Sequence, residues 1–150
     1  MVEFKEHKGD SLSYISVEPD DFNPNNNYPV LVLLHGFGAS MHDLANLSMA
    51  IDPDRYIYIF PNGPIEIQVG YGITGYAWSK INEDETSKQS EDTDEILKTL
   101  ITDLVGKYGS SPTNTILGGF SQGGMMSYRL GLPNPDMFAG LIVLSGSVRD

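Results

Sequence analysis

Val30-Leu31-Val32-Leu33-Leu34 is apolar at five consecutive positions. An unbroken run of that length suits a strand covered on both faces, as in a parallel sheet. Two similar runs follow: Tyr56-Ile57-Tyr58-Ile59-Phe60, cut by Pro61, and Ala139-Gly140-Leu141-Ile142-Val143-Leu144, read as a further buried strand. Thr113 to Gly119 supplies another strand. Leu12 to Val17 alternates imperfectly and predicts an early, partly exposed strand. Between the later strands the period changes. Ile96, Leu97, Leu100, Ile101, Leu104, Val105 and Tyr108 recur at helical spacing and predict a helix over Asp92 to Tyr108. Acidic residues at its start and Lys107 near its end complement the helix dipole. Gly109 is the expected stop. Met41 to Ile51 predicts a shorter helix ahead of Pro53, and Gln122 to Leu130 a third, ended by Gly131 and Pro133. Asp20 to Pro29 reads as a turn-rich connection, and residues 61–82 as a long glycine- and aromatic-rich loop. From Val30 on, strands alternate with helices. The expected fold is therefore α/β, a mostly parallel sheet with helices on both faces.

The length of 150 residues fits one domain with a real core. A net charge of −11 repels phosphate backbones and anionic surfaces, so no nucleic-acid partner is expected. Much of that charge lies between Glu83 and Glu95, which reads as a solvated segment and helix start. With no cysteine, disulfides, thiolate catalysis and cysteine metal sites are excluded. The N-terminus lacks the apolar stretch of a signal peptide, and no apolar run is long enough to span a bilayer. The expectation is no membrane insertion and a cytoplasmic setting.

Gly119-Phe120-Ser121-Gln122-Gly123 joins the Thr113–Gly119 strand to the helix after it. Gly-x-Ser-x-Gly alone is a weak signal. At a strand-to-helix junction it gains a physical meaning. The turn strains the serine and leaves no room for side chains two positions away, which Gly119 and Gly123 satisfy. Gln122 opens a helix, so its backbone N–H points outward at the positive end of the dipole. Upstream, His35-Gly36-Phe37-Gly38 follows a buried strand, and a glycine-rich turn there can present a second N–H, at Phe37, to an oxyanion on Ser121. The bland alternative is a serine N-cap with no catalytic role.

These residues resemble the α/β-hydrolases, and within them the small carboxylesterase, lysophospholipase and acyl-protein thioesterase group. The matching stretches run in family order: Leu33-Leu34-His35-Gly36-Phe37-Gly38, Phe60-Pro61-Asn62-Gly63-Pro64, Gly75-Tyr76-Ala77-Trp78, Gly118 to Met125, and Leu141 to Gly146. The resemblance implies an α/β-hydrolase sheet lacking its C-terminal strands, in one domain over residues 1–150 that is C-terminally incomplete. It makes Ser121 the nucleophile and the Phe37 and Gln122 N–H groups the oxyanion donors. His35, Gly36, Gly38, Gly119 and Gly123 support them. Trp78 and Tyr76 fall near the substrate pocket, with an ordinary half-buried aromatic role left open for both. The resemblance further implies a small-molecule ester or thioester as substrate, with no metal and no cofactor.

The family's later aspartate and histidine have no counterpart. After Ser121 the only acids are Asp136, in a Pro-Asn-Pro-Asp turn, and Asp150, and no histidine follows. Of the three upstream histidines, His7 reads as exposed, while His35 and His42 are the candidates for a makeshift base. Three readings follow: the N-terminal portion of a serine ester hydrolase, very weak or inactive as these 150 residues; a non-catalytic protein that binds a partner, such as a second copy, through an open apolar sheet edge; or an assembly in which another chain supplies acid and base.

Overall fold

A computed structural model describes residues 2–148. Among the described residues eight strands and three α-helices follow in chain order: β1 Phe4–Lys8, β2 Ser13–Val17, β3 Val30–Leu34, α1 Leu47–Ile51, β4 Ile57–Pro61, β5 Ile65–Gly70, β6 Ile73–Ala77, α2 Lys88–Lys107, β7 Thr115–Phe120, α3 Gln122–Gly131 and β8 Gly140–Leu144. Six strands form one sheet in the order β1-β2-β4-β3-β7-β8. β4, β3, β7 and β8 run parallel to one another. β1 and β2 are antiparallel additions on the β4 side. The expected mostly parallel sheet is what the chain forms.

Alternate residues of the same strands feed two cores. Val30, Val32 and Leu34 of β3 and Ile57 and Ile59 of β4 meet Leu97, Ile101 and Leu104 of α2 and Met126 and Leu130 of α3. Leu31 and Leu33 point the other way, joining Tyr58, Phe60, Ile15 and Val17, with Ala45 and partly buried Leu47 above them. The period-two alternation of strand side chains thus turns a uniformly apolar run into two packed faces, each under helix. Arg129 of α3 forks onto Asp94 of α2, its Nε 2.9 Å from both carboxylate oxygens. It also donates to the Glu85 carbonyl, tying the acidic segment to the helix pair.

Four expectations need correction. β2 is buried at Tyr14, Ile15, Ser16 and Val17 rather than half exposed, because β1 and β4 flank it on both sides. The 61–82 segment is not one loop. It holds the antiparallel hairpin β5–β6, and the alternation Ile65, Ile67, Val69 was its signal. Only Leu47–Ile51 of the 41–51 stretch is helical; the residues before it are hydrogen-bonded turns. β8 is not buried. It pairs with β7 alone among the described residues, and Ile142 and Leu144 stand exposed.

Candidate active site

β7 ends at Phe120 and α3 begins at Gln122, so the chain reverses at a single residue, Ser121. Its φ of 53° and ψ of −114° lie where an L-residue is strained, a conformation that costs about 1–3 kcal/mol and persists only when the surroundings over-determine it. They do so here. The Ser121 N–H donates to the Leu144 carbonyl at 2.8 Å, and the Ser121 carbonyl accepts from Met125 N at 3.0 Å. A Cβ on Gly119 would stand 2.4 Å from the Gly123 carbonyl carbon, and one on Gly123 would stand 2.0 Å from the Leu34 oxygen. The two glycines are steric requirements of the turn. The hydroxyl makes no capping hydrogen bond, so the N-cap alternative fails, and Ser121 is half-buried, not sealed in the core. Replacing Ser121 with Gly removes the strain. Ser121→Gly is expected to raise stability by about 1 kcal/mol after glycine's extra chain entropy is subtracted, measurable as a rise of about 2–4 °C in Tm.

The His35–Gly38 turn leaves β3 beside this elbow; a Cβ on Gly36 would meet the Phe120 ring at 3.2 Å. Phe37 is held from both sides. Ahead of it, His35 is almost fully buried, with Nδ1 donating to the Gly36 carbonyl at 2.7 Å and Nε2 accepting from Gly63 N–H at 2.9 Å. Beyond it, Gly38 N–H donates to the Tyr76 carbonyl and Tyr76 N–H to the Ala39 carbonyl, each at 2.8 Å. Gly38 takes a φ of +82° to do this. The N–H groups of Phe37 and Gln122 themselves make no hydrogen bond among the described residues. Both sit at the ends of fixed turns with a donor to spare.

Sequence reasoning missed the side chains that connect these turns. Gln122 Oε1 accepts from Trp78 N–H at 2.9 Å, and Gln122 Nε2 donates to the Ser79 carbonyl and hydroxyl at 2.9 and 3.1 Å. Trp78 Nε1 donates to the His35 carbonyl at 2.9 Å. Asn62 Oδ1 accepts from Met41 N–H at 2.9 Å. No local periodicity encodes such long-range pairs. Trp78, expected near the substrate pocket, has no accessible surface and lines no open cleft. It serves as a strut because its indole N–H finds its acceptor inside. Tyr76 is half-buried and acts through its backbone. A cavity of about 20 Å³ beside Gln122, Met125 and Met126, and one of about 420 Å³ by Met125, Tyr128 and Arg129, lie near the elbow without being lined by Ser121.

No histidine bonds to Ser121 among the described residues. Both ring nitrogens of His35 are occupied, and burial lowers its pKa, so the neutral Nδ1–H tautomer persists as a support and not as a base. His42 is exposed and pairs with Glu6 at 2.6 Å. His7 is half-buried rather than exposed, bonded to Ser16 Oγ at 2.7 Å and stacked on Tyr14. Asp136 sits in an exposed 3-10 turn, Pro135–Met137, and Asp150 lies outside the described residues.

Buried His35 and half-buried His7 set a pH dependence. Burial is the main cause lowering His35, and also His7, below the ordinary value of 6.5. Below pH 6.5 the unfolded chain binds protons that the folded chain refuses, so this contribution is intact above 6.5 and is lost as pH falls toward the folded values. Thermal unfolding from pH 7.5 to 5.5 should show falling stability, and His35→Asn should show a shallower fall. An unchanged slope in both His35→Asn and His7→Gln would contradict the assignment.

The family model for phospholipase/carboxylesterase matches residues 22–149. The chain belongs to that family. Acyl-protein thioesterase 1 of Aspergillus fumigatus is 30% identical over 128 residues, 77% of this chain and 53% of the relative. Acyl-protein thioesterase 1 of Schizosaccharomyces pombe is 32% identical over 123 residues, 77% of this chain and 54% of that protein. The chain thus spans about half the length of the curated relatives it matches. Among solved structures, a carboxylesterase from Mesorhizobium loti superposes with a TM-score of 0.76 at 18% identity, over 97% of this chain and 66% of that one. Esterase PE8 superposes at 0.72 with 29% identity, over 92% and 65%. The family's α/β-hydrolase sheet is therefore the one described above. Among the described residues, no helix is long and apolar enough to cross a membrane, and no cluster of His, Asp and Glu could hold a metal ion.

Proposed function

We propose that this chain carries the nucleophile and oxyanion hole of a serine ester hydrolase. The observation that carries the reading is the strained elbow: Ser121 at φ 53° with an uncapped hydroxyl, next to two unspent main-chain donors. Ser121 Oγ attacks the carbonyl carbon of an ester or thioester and gives its proton to a base. Charge gathers on the carbonyl oxygen, where the Phe37 and Gln122 N–H groups are worth most in a water-poor site. Collapse expels the alcohol or thiol and leaves an acyl-serine, which water hydrolyses by the same path. The relatives named acyl-protein thioesterase support acyl esters and thioesters as the class. A cytoplasmic setting is part of this reading.

The acid and base come from residues other than these 150, because all three histidines are committed elsewhere. The domain is then one part of a larger catalytic unit. A fluorophosphonate tests the nucleophile directly. Over long incubations it should add its mass at Ser121, and Ser121→Ala should remove that adduct. Adducts only at other residues would overturn the reading.

A second reading rests on β8. Among the described residues this edge strand pairs on one side only and exposes Ile142 and Leu144, the arrangement that invites strand addition. Two copies pairing edge to edge would sediment as a dimer that Ile142→Lys dissociates. A monomer at high micromolar concentration would dismiss it.

A further inference from the structure

Six hydrogen bonds join the two halves of the site through its interior, and none of them involves the reacting atoms. From the α3 end, the Gln122 side-chain amide grips Trp78 N–H, the Ser79 carbonyl and the Ser79 hydroxyl. Trp78, fully buried, passes the connection on through its indole N–H to the His35 carbonyl. His35 closes it with its ring on Gly36 and Gly63. The tilted His35 and Trp78 rings lie 5.2 Å apart, so the joint is packed as well as bonded.

We infer that the Gln122 side chain, acting through Trp78, sets the position of the Phe37 N–H relative to the Gln122 N–H. Gln122 then has two separable functions. Its backbone donates to the oxyanion, as proposed above, and its side chain positions the other donor. This inference rests on that reading. The physical need is plain. The two donors come from different turns, one after β3 and one after β7. An oxyanion hole works only if both lie about 2.7–3.1 Å from one point. Strand pairing between β3 and β7 fixes the strands but not the turns beyond their ends. A part-buried amide bonded to three partner atoms resists displacement, because each broken bond leaves a partner poorly reached by water. Glutamine suits the task because one side chain both accepts from Trp78 N–H and donates to Ser79.

The chain's single tryptophan makes the test specific, since its indole N–H gives one resonance. Proton–nitrogen correlation spectra of the 150-residue chain are compared with Gln122→Met, which keeps volume and loses every side-chain bond, and Gln122→Glu, which keeps only the acceptor for Trp78 N–H. In Gln122→Met the indole signal should shift upfield and exchange faster with solvent, and the Phe37 and Gly38 amides, which make no hydrogen bond to Gln122 among the described residues, should move with it. Gln122→Glu should fall between the two. Shifts confined to residues 77–79 and 121–125, with the indole and Phe37 signals unmoved, would overturn the inference. Fluorophosphonate labelling is read on the same samples. Labelling of Ser121 with an unmoved Phe37 amide sinks only this inference. A responsive Phe37 amide with no Ser121 adduct sinks the hydrolase reading instead.

Discussion

Gly123→Ala should destabilise this protein by about 3 kcal/mol, a fall of about 6–12 °C in Tm for a chain of this size. The reason is backbone geometry. The added methyl would stand 2.0 Å from the Leu34 oxygen, 2.5 Å from its carbonyl carbon and 2.6 Å from the His35 oxygen. None of these is the flexible end of a side chain. Relief requires α3 to lift from the end of β3, which opens the core at Leu34 and Met126 and moves the elbow. Gly140→Ala is the control. Nothing lies within 4 Å of a Cβ there, so its effect should stay within about 0.5 kcal/mol. Equal midpoints for the two variants in chemical denaturation would show that α3 does not press on β3 as described.

Ester hydrolysis by these 150 residues alone should be roughly a millionfold slower than by a complete serine triad, the cost of removing the base. The proposed oxyanion hole should leave a residual acceleration of roughly 10³–10⁴ over water. The histidine count and the bonding agree on this. His35 precedes the turn that lies beside the elbow, but its Nε2 lone pair is taken by Gly63 N–H and its Nδ1–H by the Gly36 carbonyl. Turnover of an activated ester, measured beside a relative that spans the whole family domain, decides the matter. A rate within a hundredfold of that relative, lost in Ser121→Ala, would mean that a base acts from within this chain.

The elements carrying long uniform patterns were legible in the sequence. β3 and β4 are five-residue apolar runs, and α2 displays its face over twenty residues, starting four residues before the expected Asp92. The Gly119-x-Ser121-x-Gly123 elbow was legible because its glycines answer a local steric demand. The rest depends on what happens to be adjacent in space. Whether β2 is half exposed is decided by β1, which pairs along its outer edge. β8 reads as a buried strand by composition, yet it stands at an edge because the sheet, among the described residues, ends there. Trp78 looks like a pocket residue by its place in the chain and proves to be an internal strut. The fixing of His35 as a neutral support rests on Gly63, 28 residues away. Hydrogen bonds across such separations leave no periodic trace.

A crystal structure of the chain with an alkylboronic acid bound to Ser121 Oγ tests the central claim most directly, since a tetrahedral boronate stands in for the oxyanion intermediate. One boronate oxygen should lie about 2.7–3.1 Å from both the Phe37 and Gln122 nitrogens. An adduct whose oxygens all face solvent, with either N–H bonded elsewhere, would contradict the assignment of this elbow as a site of acyl transfer.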